Sequence, residues 1–520
     1  MRISLESIFY RVILPFMFLE GFLLRIGNLR KGFWIDEYLT IETAQKLTFF
    51  NHTDTVGLNP YYVGLRLVAY LFGTDETAVR IISVLFGLAS AFILFLIGKK
   101  YFHERVGLIS SCIFLLTPLG ISLGQEVRPY SMLLFLSLCQ LFFFLEILQS
   151  VSEGKRVKNI RFMHLSVLTL LILFIHLSSV LFLVSEMIVL SFITIIEKRW
   201  PTDVFKYYLA CLFPMFAFFA WFYRDILTKL GFIVSDRNYI TVYSNSGRSF
   251  ADVIVFIQNI STGLIPEKPK ESLLVFLLAL ILIGASIGIC HSFIRRATIV
   301  NALFGITILR ICIGLSMHDF IPRHAFILTP LFSLFLGISL YNLSKVRRVP
   351  KVVIFCVYGF FILSLAYLSL ISQKAEKADP GRQWGSVADF VERNAGPEKA
   401  VIVAVPYLKG IFTHYYHGTT PIITMDDYKE KSRNTLIENN EIGVSFINQE
   451  LTDALIGKSI GFREILVVKD VIALDLSDVD KRFDTALASR FIRIDTTCFP
   501  ASAKILCVER YRRADQEPIR

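Results

Sequence analysis

The sequence predicts a polytopic α-helical membrane protein that ends in a small α/β domain. Three observations predict it. First, 54% of the 520 residues are hydrophobic and 47 are Phe, above the apolar share of an ordinary soluble domain. Second, apolar runs of about 20 residues recur along the first 371 positions, long enough to cross a bilayer as helices. Third, the composition shifts after residue 371 to short, β-rich runs separated by polar helical stretches.

From the N-terminus, spans are expected near 8–25, 79–98, 106–122, 129–149, 162–176, 179–196, 205–223, 271–291, 297–315, 325–343 and 351–371, about eleven in all. The first run is read as an uncleaved span, because no small-x-small cleavage site follows it. The stretch from Phe162 to Ile196 is too long for one span, and Ser178-Ser179 offers a turn between two short ones. Six cysteines (112, 139, 211, 290, 312 and 356) lie inside apolar runs, where a thiol is a small buried hydrophobe.

The net charge of +11 would suggest nucleic-acid binding in a soluble protein. Here the cations fall in alternate short loops: "GKKYFHER", "EGKRVKNIR", "EKRWPTDVFK", "SFIRRA" and "SKVRRVPK" carry two to four Lys or Arg each. The intervening "ISLGQEVRPY" and "LSMHDFIPRH" carry one. Positive loops stay inside, so the charge encodes orientation in an inner (plasma) membrane, and no nucleic-acid partner is expected. The N-terminus is then cytoplasmic, and everything after residue 371 is extracytoplasmic.

The expected domains are 1–371, a membrane domain with a first outer loop at 26–78, and 372–520, an outer α/β domain. In the latter, "KAVIVAVP", "TPIIT", "REILVVKD", "FIRIDTT" and "AKILCVERY" read as strands and "WGSVADFVERN" as a helix. Cys498 and Cys507 flank a hairpin turn. In an oxidising compartment they pair across two strands; two unpaired thiols remain the alternative.

Ionisable groups near membrane depth are costly and are usually paired or functional. Asp36, Glu37, Arg80, Glu126, Arg128, His176, His318, Asp319 and Arg323 all map to the outer ends of spans or to outer loops. Their convergence on one face predicts an outward-facing active site. In "GFWIDEYLT" an acid beside apolar neighbours has a raised proton affinity and suits a general base; a solvated loop pair is the plain alternative. In "QEVRPY", Glu126 and Arg128 precede a helix that starts at Pro129-Tyr130. Arg suits bidentate phosphate binding, against a simple helix-start ion pair. "HDFIPRH" repeats acid, Pro, Arg and His; Arg323 there, like Arg80, is either a phosphate contact or a snorkelling anchor. A bundle open to the outer side, with a carboxylate base and several Arg, suits transfer from a membrane-borne phosphate carrier. The absence of a P-loop or a GxGxxG helix start agrees with a donor that is not a nucleotide.

Taken in order, these motifs resemble the bacterial branch of the dolichyl-phosphate-mannose protein mannosyltransferases, in the lipid-phosphate-sugar (GT-C) superfamily that includes the aminoarabinose transferases. The similar stretches are "LLRIGNLRKGFWIDEYLTIETA", "NPYYVGLRLVAYLFGTDETAVRIISVLFGLAS", "GQEVRPYSMLLFL", "LFIHLSSVLFLVSE", "IPRHAFILTPLFSLFLG" and "GRQWGSVADFVERNAGPEKAVIVAVPYLKGIFTHYY". The resemblance implies a GT-C fold, a polyprenyl-phosphate sugar donor, a lipid, glycan or protein acceptor, and inversion at the sugar carbon. It implies Asp36 as catalytic carboxylate with Glu37 beside it. It implies donor contacts from Arg80, Glu126, Arg128, Tyr130 and Arg323, and further substrate contacts from Asn59, Tyr61, Tyr62, His176, His318 and Asp319. The family's His-Pro-Pro is reduced here to Asn59-Pro60, which leaves a changed substrate or a lost activity as readings. No cofactor is implied. Asp36, Glu37 and His52 lack the spacing of a metal site, although a divalent cation stays open. A transporter of lipid-linked sugars is the rival class. It should show internal repeats and broken midplane spans, and the sequence has no such repeat. A polymerase or ligase would not call for the first-loop Asp-Glu.

Overall fold

In the computed structural model the described residues are 14–46, 59–196, 202–235, 253, 260, 297–316, 323–345, 351–405, 408–424, 449–471, 474, 481–499 and 505–516. The chain divides into two compact units. One comprises Met1–Arg30, Thr40–Ile226 and Asn245–Glu376; the other comprises Lys31–Leu39, Leu227–Ser244 and Lys377–Arg520.

The first unit is helical: α1 (Leu14–Ile26), the larger part of α2 (Ile35–Gln45), α3 (Pro60–Phe72), α4 (Glu76–Tyr101), α5 (Glu104–Leu116), α6 (Pro118–Gly124), α7 (Tyr130–Ser152), α8 (Asn159–Ile175), α9 (Ser179–Ile196), α10 (Thr202–Ser235), α11 (Ala297–Ser316), α12 (Leu328–Leu343) and α13 (Lys351–Lys377). Five of the described helices are long and apolar enough to cross a membrane, or six if the bent pair α5–α6 is one span. Ten of the eleven expected spans coincide with a helix, several of them shorter than that criterion requires. The eleventh, 271–291, lies outside the described residues. Exposed Phe16, Leu19, Phe92, Phe192, Phe213, Phe216 and Trp221 coat the helices, a surface that suits lipid and not water. This is an integral membrane protein.

Local chemistry explains the helix ends that matter. Asn59 caps α3: its side chain accepts from the Tyr61 N–H at 2.9 Å, and Pro60 fills the first helical position. Asp75 caps α4 in the same way. At Gly98 and Gly107 α4 and α5 touch backbone to backbone, where a Cβ on either would strike the other helix. The expected single span at 106–122 is broken. Thr117 is extended and Pro118 cannot donate, so α5 and α6 meet at 66°. The break frees carbonyls that a membrane interior leaves unsatisfied. Arg25, fully buried in the last turn of α1, donates to the carbonyls of Leu115 at 3.0 Å and Gly120 at 3.3 Å. Gln125 returns the link, donating to the carbonyls of Leu24 and Arg25. Of the apolar-run cysteines, Cys112 and Cys211 are buried as expected, whereas Cys312 and Cys356 are exposed. Their helices turn that face outward, where a thiol is apolar enough to sit against lipid.

The second unit carries a five-stranded sheet in the order β2-β1-β3-β5-β4, from β1 (Lys399–Val403), β2 (Ile422–Ile423), β3 (Glu464–Asp470), β4 (Phe491–Phe499) and β5 (Leu506–Arg513). Strands β2, β1 and β3 are parallel; β3, β5 and β4 are antiparallel. Helices α14 (Trp384–Arg393), α15 (Lys409–Tyr415), α16 (Gln449–Ser459) and α17 (Arg482–Arg490) accompany it. All five sequence-read strands are present. The central strands β1 and β3 are buried on both faces, as parallel strands between helices must be. Cys498 and Cys507 are register partners in the β4–β5 hairpin and are joined by a disulfide.

Candidate functional site

Two groups of the expected residues fall in the two units, and each is described by itself.

In the helical unit, the loop between α6 and α7 brings Glu126, Arg128 and Tyr130 to the end of the bundle. The short turn between α8 and α9 brings His176, and the turn ahead of α12 brings Arg323 and His324. His176 and His324 lie ring to ring at 4.6 Å, with Tyr130 at 6.1 and 6.2 Å from them. The His176 Nδ1 is held by Ser178, from the hydroxyl at 2.7 Å and the backbone N–H at 3.2 Å. The 1%-exposed Glu126 faces Arg323 at 3.8 Å, and Arg128 donates to the Thr40 hydroxyl at 3.0 Å and lies over the Tyr130 ring. Helix α12 starts at Leu328, one turn later than expected, so Arg323 and His324 sit on the turn that leads into it and not within a helical face.

A pocket opens here. Arg310, Arg323 and His324 line it together with Tyr130, Leu133, Leu134, Phe182, Phe326 and Ile327. Arg310 comes from α11 and donates to the His324 carbonyl at 3.0 Å. Sequence reasoning missed it. The signal was present as a single Arg inside the apolar run "ITILRICIG", which at membrane depth is a functional candidate by default. The lining thus combines two Arg with apolar side chains.

Arg80, Asn59, Tyr61 and Tyr62 hold the scaffold together. Arg80 is fully buried and donates to the Leu29 carbonyl at 2.5 Å. Asn59 also donates to the Ile175 carbonyl at 3.2 Å, and the Tyr61 hydroxyl bonds Ser83 at 2.8 Å. All four have no exposed surface. Arg80, Asn59 and Tyr61 thus have polar atoms bonded to protein partners. His318, Asp319 and His52 lie outside the described residues.

In the second unit the Asp-Glu motif opens α2. Both acids occupy the first helical turn, where the helix dipole favours negative charge. Glu37 is fully buried. Its Oε2 accepts from the Trp34 N–H at 3.3 Å, closing the helix start, and from Arg382 Nη1 at 2.5 Å. Asp36, the neighbouring acid, is half-buried. Arg382 was quoted in the "GRQW" stretch but assigned no task; nothing local in the sequence ties it to residue 37. Among the described residues no group of three or more His, Cys, Asp or Glu gathers as a metal site would.

The fold is that of the GT-C membrane glycosyltransferases. It matches ArnT from Cupriavidus metallidurans bound to undecaprenyl phosphate, at a TM-score of 0.61 and 11% identity over 97% of this chain and 98% of that one. It also matches the archaeal oligosaccharyltransferase AglB from Archaeoglobus fulgidus, in complex with an inhibitory peptide and a dolichol-phosphate, at a TM-score of 0.52 and 10% identity over 98% of this chain and 75% of that one. At these identities the likeness is one of fold. Residues 61–223 match the family model of the dolichyl-phosphate-mannose-protein mannosyltransferases. The family match covers less than a third of the chain, and the structural matches show the fold of membrane glycosyltransferases. No curated protein matches the chain in sequence.

Proposed function

We propose that the protein transfers a sugar from a polyprenyl-phosphate-linked donor to a hydroxyl of a lipid, glycan or protein acceptor on the extracytoplasmic face, with inversion. The observation that carries this reading is the pocket that sets Arg310, Arg323 and His324 against Leu133, Leu134, Phe182 and Phe326. Such a lining suits a phosphate with an apolar tail better than a free nucleotide or a sugar alone. The undecaprenyl phosphate in ArnT and the dolichol-phosphate in AglB are ligands of the same class.

The chemistry is a single displacement. The acceptor oxygen attacks the anomeric carbon as the bond from that carbon to the phosphate oxygen breaks. The acceptor proton passes to the Asp36 carboxylate, and polyprenyl phosphate leaves with the bonding pair. One displacement inverts the carbon. Arg310 and Arg323 stabilise the leaving phosphate, where removal of a preorganised partner typically costs about 10²–10³ in rate. Asp36 takes the proton because it keeps accessible surface, whereas Glu37 is buried against Arg382.

The test is transfer from labelled polyprenyl-phosphate sugars to membrane acceptors by the purified protein, with Asp36→Asn in parallel. Transfer that Asp36→Asn abolishes, with donor binding retained, is the expected result. Undiminished transfer by Asp36→Asn removes the base assignment. Movement of the lipid across vesicles without transfer replaces the enzyme reading with a transporter.

A further inference from the structure

The Asp36-Glu37 segment folds with the C-terminal unit, hundreds of residues away in sequence. Three contacts fix it. Arg382 Nη1 donates to Glu37 Oε2 at 2.5 Å and to the Gly32 carbonyl at 3.2 Å. The Phe33 N–H donates to the Tyr415 hydroxyl at 2.9 Å. The His414 ring lies against Phe33 and Tyr38 at 5.4 and 6.0 Å. Two glycines mark how tight the fit is: a Cβ on Gly32 would run into the Arg382 carbonyl, and one on Gly410 would meet the Tyr38 ring at 2.6 Å.

We infer that Arg382 is a positioning residue for the reaction: through Glu37 it sets where α2 begins and hence where the Asp36 carboxylate stands. This rests on the reading of Asp36 as base. Arg382 touches neither reacting atom. It holds Glu37, which is the third residue of the α2 first turn and whose carboxylate closes that turn onto Trp34. Asp36 is the residue between. A shift of the helix start moves Asp36 with it, and a misplacement of about 1 Å in a catalytic group can cost about 10²-fold in rate.

The pair is also poorly explained by stability alone. Both side chains are nearly inaccessible, at 5% for Arg382 and 0% for Glu37. A buried ion pair gains little over a well-packed apolar pair, because desolvation offsets the attraction. What the charges add is direction: the Arg382 Nη1 reaches one carboxylate and one backbone carbonyl at once.

The experiment uses the full-length protein and measures kcat and donor KM for Asp36→Asn, Glu37→Gln, Arg382→Gln, Arg382→Lys and the double variant Glu37→Gln/Arg382→Gln, each with its melting temperature. Arg382→Gln is expected to lower kcat about 10²-fold with donor KM unchanged. Arg382→Lys, which keeps the charge on a differently shaped side chain, should recover part of the loss. The double variant should fall no further than Arg382→Gln, because two residues acting as one unit are not additive. If Arg382→Gln does not fold, Arg382→Lys carries the test, with reduced kcat at unchanged KM expected. Wild-type kcat in the folded variants, additive losses in the double, or a drop in kcat that merely follows melting temperature would each overturn the proposal. Failure of the two readings is distinguishable. If Asp36→Asn still turns over, the base assignment is wrong; if it is inactive while the Arg382 variants turn over normally, the base stands and the positioning role does not.

Discussion

The Glu37 carboxylate and the Arg382 guanidinium, 345 positions apart in the chain, meet at 2.5 Å with both side chains buried. Removing one partner of a buried pair costs up to about 3–5 kcal/mol, and less here because Asp379 stays 3.7 Å from Arg382. Glu37→Leu alone should therefore lower the unfolding temperature, and Glu37→Leu/Arg382→Met should restore much of it while kcat stays reduced about 10²-fold. Thermal unfolding of the three proteins decides this; a double variant no more stable than Glu37→Leu contradicts it.

The Arg-lined pocket predicts how donor affinity responds. Arg310→Lys and Arg323→Ala should each weaken binding of a polyprenyl phosphate by about 1.5–3 kcal/mol, the worth of a hydrogen bond to a charged group. Asp36→Asn should leave that binding intact. Titration of undecaprenyl phosphate into the purified variants provides the measurement, and unchanged affinity for both Arg variants removes the phosphate assignment.

Asn59 caps α3 and reaches the Ile175 carbonyl. Loss of an N-cap costs about 1 kcal/mol. Asn59→Ala should cost at least that much stability while donor affinity stays within twofold. A tenfold loss of affinity in the folded variant would instead return Asn59 to the donor site.

The disulfide between Cys498 and Cys507 closes a loop with a sequence separation of 9, which the loop-entropy account values at about 2–3 kcal/mol. Thiol labelling without reductant should find both blocked, as an extracytoplasmic sheet domain requires. Cys498→Ala/Cys507→Ala should unfold the sheet domain at lower denaturant. Free labelling of both thiols would count against the proposed orientation.

Glu509 links the sheet domain to pH. Burial raises its pKa, but hydrogen bonds from Lys469 and Tyr511, with the charges of Lys469 and Arg493, outweigh this and hold it below the ordinary carboxylate range. Glu464 is held low in the same sense: burial raises its pKa, but bonds from Lys399 and Arg512 outweigh it. A folded-state pKa below the unfolded one gives stability that is present above the unfolded value, about 4.3 for Glu, and lost as pH falls through the depressed folded value. Melting of the wild type should therefore fall below about pH 5. Glu509→Gln should be less stable at neutral pH and show a shallower decline. Parallel melting curves against pH would exclude the linkage.

Much of this protein is legible without a structure. The helices of the membrane unit follow from hydropathy. The five strands follow from short β-branched runs, and the α3 cap follows from Asn59-Pro60. These are local: the residues that decide them are neighbours in the chain. The break at Thr117-Pro118 was readable in principle, since Pro alone dictates it, but the apolar run masked it. The acids Asp36, Glu37 and Glu126 and the pocket residues Arg323 and His324 stand out as polar groups in apolar surroundings. Arg310 stands out for the same reason once each lone charge in a span is given weight.

Partner choice is what the sequence leaves open. The sequence offered Glu126 the nearby Arg128; the structure also sets Arg323, 197 positions on, 3.8 Å from it, while Arg128 donates to Thr40. Glu37 is met by Arg382, 345 positions away, a partner that nothing in its own loop points to. Pairings between residues hundreds of positions apart depend on how helices and sheet bring backbones together, and no local spacing encodes that. Hydropathy, helix caps and strand alternation determined the kinds of element and the candidate acids. Tertiary packing alone decided which acid keeps solvent access, Asp36, and which is buried against an arginine, Glu37, because burial and charge pairing are properties of the assembled chain.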